Sequence, residues 1–362
     1  MLWSVIKPPQ NAIYWLDDVH KGFYRSMLAG SIFNNCFPNG FVDVLDRSGK
    51  TKELFQDVFD AYQPLTPDLK RELSALFYNQ INWVQALGNT NQSVLAPSAG
   101  LKNIWELVKK LGGYLYSTTL DLTCFKNAST NPNDCIGSHF EDFKDENGVI
   151  CCFCGTEEMM EERIIEPEEG ALNEDEKQWR ASYDHYLPKK LYPFLAVDFN
   201  NLIPCCQKCN EKAKGELDIL HCDGVRTLAF NPYTDPRPVS LEAKYESYNG
   251  TFVMKVEIQD TANQLSEKAD TWNRTFSVLP RVNKRLKRFD SSWLGPILNG
   301  AINVASAKTR LNDEVLRCNN EKTFEREAYY KSLCFDVIKN KSDAEIESYI
   351  EVVNQLYAAR RI

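Results

Sequence analysis

The sequence predicts an α+β protein with largely helical flanks. Helical periodicity dominates residues 1–145 and 262–362, a central region carries two C-x-x-C pairs, and alternation near 241–258 fits two strands. Because 362 residues exceed what one compact core usually covers, we expect more than one structural unit. We predict a helical N-terminal region (1–145), a central core (146–236) and a C-terminal region of short strands followed by helices (237–362).

The composition restricts the compartment and the partners that we expect for this protein. Hydrophobic residues make up 43% of the chain, and no apolar run approaches the roughly 20 residues that span a bilayer. The first nine residues lack both a basic leader and a long apolar stretch, so we expect a cytoplasmic protein with no membrane contact. The net charge of -8 argues against a surface that is basic throughout, so any contact with nucleic acid must be a local patch.

The N-terminal region reads as several helices. Apolar residues recur at helical spacing from Ala12 to Met27, and Gly30 offers a stop. Further helices are predicted at residues 52–61, 66–87 and 101–120, the second of them with Thr66 as its cap before Pro67. Residues 125–148, rich in Asn, Ser, Asp and Gly, predict a loop or linker. The aromatic residues at helical spacing are interpreted as core: Tyr78, Trp83 and Trp105.

The C-terminal region combines strands, helices and a basic run. Residues 225–230 fit a short strand, and residues 241–248 and 251–258 fit a hairpin around Asn249-Gly250. The pattern is helical from residue 262 onwards. The densest basic run fits either a solvated helix face or a phosphate-binding patch. Its basic residues are Arg281, Lys284, Arg285, Lys287 and Arg288.

Four of the twelve cysteines have the spacing of metal ligands. Paired cysteines in a reducing compartment favour metal ligation over disulfides. Two C-x-x-C knuckles predict a tetrahedral four-thiolate site, which suits a structural zinc ion. Cys152 or Cys205 could replace a neighbouring cysteine as a metal ligand. The C-x-x-C spacing favours four other cysteines. These are Cys151, Cys154, Cys206 and Cys209.

A strongly acidic insert, residues 157–176, separates the first knuckle from an Asp-His dipeptide at Asp184 and His185. The simpler interpretation is a solvated loop. The alternative is a negatively charged flap that repels nucleic acid from a neighbouring site until it moves.

The central motifs resemble the zinc-stapled branch of the HNH endonucleases. These motifs are C-x-F-C-G from Cys151, D-H-Y-L-P-K from Asp184 and N-L-I-P-x-C-x-x-C-N from Asn201. The resemblance covers residues 149–214, about a sixth of the chain. It implies a ββα-metal core, in which a hairpin carries Asp-His, a loop carries Asn and a helix follows. The last motif position here is Asn210 rather than His.

The resemblance also implies residue roles in phosphodiester hydrolysis. His185 is then the general base, which takes a proton from water. Asp184 holds a divalent ion, Mg²⁺ or Mn²⁺. Asn201 supplies an oxygen to the metal or orients the imidazole, with Asn200 as the alternative if the register slips by one, and Asn210 takes the final catalytic position. Five lysines near these motifs could bind flanking phosphates: Lys189, Lys190, Lys208, Lys212 and Lys214.

The sequences of these motifs are similar to those of HNH subunits from bacterial anti-phage systems, of the Septu type or associated with retrons. This implies a nuclease that works beside an ATPase partner and acts on nucleic acid, which we expect to be DNA. RNA remains open, since the chemistry attacks a phosphodiester without reading the sugar. The rival hypothesis is a zinc-stapled module that binds nucleic acid or scaffolds partners without cutting.

Overall fold

A computed structural model describes residues 1–9, 11–160, 183–236, 238–248, 251–259 and 263–359. Most of the acidic insert, residues 161–176, therefore lies outside the described residues, and so do both interpretations of it. Its first two glutamates are described. Glu157 pairs with Lys208 and Arg285, and Glu158 pairs with Arg326.

The described part of the N-terminal region consists of helices joined by turns and, between α5 and α6, by a longer connection. α6 packs against α3 and against the turn at Pro193–Leu195, which brings it beside the central region. The helices are α1 (Trp15–Leu28), α2 (Asn39–Arg47), α3 (Gly49–Tyr62), α4 (Pro67–Ile81), α5 (Trp83–Leu87), α6 (Lys102–Ser117), α7 (Thr123–Ala128) and α8 (Ile136–Asn147).

The sequence predicts most of these helices but joins two of them. The Thr66 hydroxyl accepts the backbone N–H of Leu69 at 3.4 Å and caps α4, as predicted. The helix predicted over residues 66–87 breaks at Asn82 into α4 and α5. Trp83 and Trp105 are buried core residues, whereas Tyr78 is 46% exposed, so its assignment to the core is wrong.

The prediction of a loop over residues 125–148 is also wrong. α7 and α8 lie there, and the Cys135 side chain accepts the N–H of Ser138 to cap α8. Phe140 and Phe143 are buried, while Asp142 and Asp145 are exposed. Burial of two phenylalanines thus outweighs a weak local helix propensity.

Three small antiparallel pairs of strands follow. β1 (Tyr183–His185) pairs with β2 (Leu202–Pro204), and β3 (His221–Cys222) pairs with β4 (Val225–Arg226). The strand predicted at 225–230 is therefore limited to two residues. β5 (Leu241–Tyr248) and β6 (Thr251–Ile258) form the predicted hairpin. A short π-helix, Lys208–Lys214, comes directly after β2.

The C-terminal region is helical after β6, as predicted. α13 packs on β5, α10 packs on β6, and α12 packs against α13. The helices are α9 (Asn263–Phe276), α10 (Val278–Leu286), α11 (Gly295–Leu298), α12 (Val304–Asn320), α13 (Ala328–Lys339) and α14 (Asp343–Ala359).

Helices and small antiparallel sheets together are compatible with the α+β class. Buried residues of all three predicted regions contribute to one continuous core, so the boundaries at 145 and 236 stay a prediction. Among the described residues, none of the helices has the length and apolar character that crossing a bilayer requires.

His20 makes the fold sensitive to acid. Its side chain is fully buried, and both ring nitrogens lack a hydrogen-bond partner among the described residues. Burial, with a smaller contribution from Lys21, lowers the pKa of His20 to about 3. The unfolded chain then binds more protons between that value and about 6.5, so stability falls as the pH drops through this window.

We expect His20→Leu to reduce this acid sensitivity. Removing the buried imidazole should reduce the slope of unfolding free energy against pH by about 1.4 kcal/mol per pH unit below pH 6. Urea unfolding at pH 5.0, 5.5 and 6.0 measures the slope. Equal slopes in the variant and the wild type would contradict a neutral buried His20.

Candidate functional site

Four cysteines form a compact, buried cluster. Their Sγ atoms all lie within 4.8 Å of one another, and those of Cys154 and Cys206 are 3.7 Å apart. A tetrahedral zinc site with Zn–S bonds of about 2.3 Å has S–S edges of about 3.8 Å. The cluster therefore fits zinc. It consists of Cys151, Cys154, Cys206 and Cys209, as the spacing favoured, rather than Cys152 or Cys205.

The two knuckles have the same backbone design. The N–H groups of Cys154 and Gly155 donate to the carbonyl of Cys151, at 3.2 and 2.8 Å. Those of Cys209 and Asn210 donate to the carbonyl of Cys206, both at 3.0 Å. Each C-x-x-C spacing thus forms a tight turn that directs both thiols to one point.

Polar groups surround the sulfur atoms. The Arg281 guanidinium donates to Cys209 Sγ at 3.3 Å, and the Thr156 hydroxyl donates to Cys154 Sγ at 3.4 Å. Burial opposes ionisation of Cys151, but hydrogen bonds from the neighbouring cysteines leave its pKa well below the ordinary range, while burial raises the pKa of Cys209. A cation is needed to keep four buried thiolates together.

The residues of the basic run differ in their surroundings. Arg281 serves the cysteine cluster, and Arg285 pairs with Glu157 and Glu327. Both guanidinium groups have partners within the protein, so a phosphate would have to compete for them. Only the remaining residues of the run are exposed: Lys284, Lys287 and Arg288.

The Asp-His dipeptide lies on β1, the first element of a strand–strand–helix sequence. Asp184 is opposite Ile203 in the β1–β2 pair, and the π-helix begins four residues after β2 ends. Successive side chains of a strand point to opposite faces. Accordingly Asp184 is buried, with 1% of its surface exposed, whereas His185 is half-buried.

Asp184 has an internal cation as its partner. The Lys214 ammonium lies 2.9 Å from Asp184 Oδ1 and 2.7 Å from the carbonyl oxygen of His185, and its side chain is buried. Burial raises the pKa of Asp184 against the opposing effect of Lys214. Lys214 is thus buried against Asp184 rather than exposed for contact with phosphate.

Asp184, with Lys214 beside it, does not fit a divalent metal ion in this arrangement. Lys214 takes one oxygen of Asp184, and the other oxygen is buried without a partner among the described residues. The cysteine cluster is also the one group of three or more candidate His, Cys, Asp or Glu ligands found in the described part of the chain. A second cation at Asp184 would meet the positive charge of Lys214.

Asn201 has a structural position instead of the expected ligand position. Its Oδ1 accepts the N–H of Leu187 at 2.7 Å, and its Nδ2 donates to the Leu187 carbonyl at 3.0 Å. It is fully buried. Asn200 has a different partner, because its Oδ1 accepts a hydrogen bond from the Lys7 ammonium. Asn210 follows Cys209 in the π-helix, where its backbone belongs to the second knuckle.

His185 is held in one tautomer. Its Nε2 lies 2.9 Å from the carbonyl oxygen of Ala196, which can only accept, so Nε2 carries the proton and Nδ1 is the basic nitrogen. Burial, and then the nearby Lys189 ammonium, lower the pKa of His185 to about 3. The imidazole is therefore neutral at pH 7.

The N-terminal region contributes residues that sequence reasoning missed. Tyr116 of α6 lies edge-on to His185 with ring centroids 4.5 Å apart, and the Lys189 ammonium lies 4.8 Å from the Tyr116 ring centre. One turn earlier, a Cβ added to Gly112 would approach the Pro193 carbonyl oxygen at 2.8 Å and Ala196 Cβ at 2.9 Å. The Gly112-Gly113 pair inside a helical pattern was the available signal of such close approach.

The remaining lysines have different positions. Lys190 pairs with Glu216, Lys208 pairs with Glu157, and Lys212 is exposed. Of the five lysines, Lys214 contacts the His185 backbone and Lys189 lies over the Tyr116 ring beside the imidazole, whereas Lys212 is on the surface.

Comparison with known proteins gives one short match. A stretch of 44 residues is 46% identical to the Septu protein PtuB of Bacillus thuringiensis, which is 12% of this chain and 17% of that protein. No family model matches the chain, and no solved structure matches it.

We expect about one zinc ion per chain, and we expect Cys206→Ala to lose it. Cys205→Ala is the matched control, because Cys205 is equally buried but lies outside the cluster. Elemental analysis of the purified variants measures the metal. Zinc retained in Cys206→Ala but lost in Cys205→Ala would contradict the ligand set.

We expect adjacent glycines of α6 to respond in opposite directions to alanine. Gly112→Ala should destabilise the fold by about 1–3 kcal/mol, since its Cβ would contact backbone at Pro193. Gly113→Ala meets nothing within 4 Å and should stabilise the helix by about 0.5–1 kcal/mol. Urea unfolding compares them, and equal effects would contradict the close approach.

Proposed function

We propose that the chain is a nuclease component of an anti-phage system, which hydrolyses phosphodiester bonds with His185 as general base. The observation that carries the proposal is the fixed, neutral imidazole of His185 on the β1–β2 hairpin. Its Nδ1 has a lone pair that can take a proton from water, but the lowered pKa makes it a weak base in the free protein. The negative charge of a bound phosphodiester would raise that pKa towards the range in which a general base works.

The surroundings of His185 supply positive charge. Lys189 lies over the ring of Tyr116, beside the imidazole, and can bind a phosphate oxygen next to the bond that breaks. Lys214 donates to the backbone carbonyl of His185 from the buried side. Zinc, when bound, has a structural role, since protein thiolates fill all four of its coordination positions.

The anti-phage setting rests on the short match to the Septu protein together with the motifs of the central region. Both suggest partner subunits, and an ATPase is the partner that the motif resemblance implies. A nuclease with an acidic overall charge needs local basic groups or a partner to approach DNA.

One observation favours a non-cleaving role. The Lys214–Asp184 pair occupies the position where the motif resemblance implies a divalent ion. A zinc-stapled subunit that binds nucleic acid or scaffolds partners without cutting would retain this pair at no cost. RNA as the substrate is the other alternative, and the same assay distinguishes it.

We expect His185→Ala to reduce cleavage by about 10²–10⁴-fold, the usual contribution of a general base. The assay incubates zinc-loaded protein with plasmid DNA or single-stranded RNA, with no added metal, with Mg²⁺ and with Mn²⁺. Zinc content and unfolding free energy of the variant are measured in parallel, so that loss of activity is not loss of fold.

Equal cleavage by wild type and His185→Ala would remove His185 from the mechanism. No cleavage of either substrate under any of the three metal conditions, even with a co-purified partner, would favour the non-cleaving role.

A further inference from the structure

A second concave site lies beside α6, apart from the cysteine cluster. It is a cavity of about 490 Å³, bounded by the segment 94–97, one face of α6, the loop that follows His185 and the turn before β3. Its charged and polar lining consists of Lys109, Lys190, Tyr192, Asp218 and His221.

The walls of this cavity are fixed to one another. The Arg226 guanidinium donates to the carbonyls of Leu220 at 2.7 Å, Ala86 at 2.8 Å and Gln92 at 3.3 Å, which ties the turn before β3 to the end of α5 and the segment after it. The buried Gln80 of α4 donates to the carbonyl of Leu191 at 3.0 Å. A site with such walls is formed before any ligand arrives.

One imidazole is oriented into the cavity by a carboxylate. His221 Nδ1 lies 2.7 Å from Asp218 Oδ2, so Nδ1 donates, and the same carboxylate accepts the Tyr192 hydroxyl at 2.9 Å. Asp218 Oδ1 also accepts the N–H of Leu220 at 3.0 Å. Because Nδ1 donates to Asp218, Nε2 is the nitrogen of His221 that remains for a ligand. Nε2 accepts a hydrogen bond in the neutral imidazole and donates one, as a phosphate requires, only in the imidazolium.

The lining separates charge from apolar surface. Lys109 pairs with Glu106, and Lys190 pairs with Glu216, but the Glu106, Lys190 and Glu216 side chains are more than half exposed. Such exposed pairs contribute little and exchange readily for a phosphate. On the apolar side, Leu95 and Leu191 are 38% and 49% exposed, and Trp105 also lines the cavity. The two leucines offer an apolar surface for a flat ring.

We infer that this cavity binds a nucleotide, with its phosphate at Lys190 and Lys109, beside the Nε2 edge of His221, and its base against Leu95 and Leu191. The nucleotide is either free or part of a strand. The strand form rests on the proposed function, since Lys190 is the direct neighbour of Lys189, which lies over Tyr116 beside His185.

Four histidines in the chain make a direct test practical. His20 and His139 are fully buried and serve as internal references for the side-chain ¹H–¹⁵N NMR spectrum. The zinc-loaded full chain is titrated with deoxyadenosine monophosphate, with deoxyadenosine and with a short single-stranded DNA. The mononucleotide should shift His221 and leave the reference signals in place, and deoxyadenosine should not shift His221.

Variants identify the phosphate contact. Lys190→Gln should weaken mononucleotide binding about tenfold, because it removes one charge-assisted hydrogen bond. Lys110→Gln makes the same change of charge on α6 and is the control, since Lys110 is exposed and does not line the cavity. Single-stranded DNA should shift His221 and His185 together if the nucleotide belongs to a strand.

The inference is overturned if His221 does not respond to the mononucleotide, if deoxyadenosine shifts it equally, or if Lys190→Gln binds like Lys110→Gln. DNA that shifts His185 and not His221 overturns the strand form of the inference, but leaves the proposed function standing. A shift of His221 by the mononucleotide, with His185 unmoved by DNA, supports the free nucleotide and counts against the proposed function.

Discussion

The cysteine cluster is the constraint on which the central region depends. It joins two knuckles that are 52 residues apart in the chain at Cys154 and Cys206, with Sγ atoms 3.7 Å apart. The C-terminal helices hold the first knuckle, since Tyr330 donates to the carbonyl of Cys154 and Trp272 to that of Phe153, both at 2.9 Å. The second knuckle begins the π-helix. Fixing one therefore fixes the other, and with it Lys214 at the end of the π-helix.

Three regions of the chain meet at His185. The hairpin supplies the imidazole, the turn at Pro193–Leu195 leads to the carbonyl that holds it, and α6 supplies Tyr116. Gly112 makes this possible, because a side chain there would push α6 away from the turn. The N-terminal region thus has a part in positioning the candidate base. Its own core need not carry any chemistry.

The parts that the sequence predicts are those set by local rules. The C-x-x-C spacing identifies the four cysteines, Thr66-Pro67 marks the start of α4, and Asn249-Gly250 marks the β5–β6 hairpin. Contacts between distant residues could not be predicted. No spacing rule links Lys214 to Asp184, Arg281 to Cys209, or Asn201 to Leu187 across a loop, and each of these contacts changes a residue's role.

X-ray absorption spectroscopy at the zinc edge tests the central claim most directly, because it reports the atoms around the metal. The account predicts four sulfur neighbours at about 2.3 Å and no nitrogen or oxygen neighbour. Fewer than four sulfur neighbours, with a nitrogen or oxygen atom completing the set, would contradict the closed four-cysteine site. It would also contradict the assignment of a structural role to zinc and of the chemistry to His185.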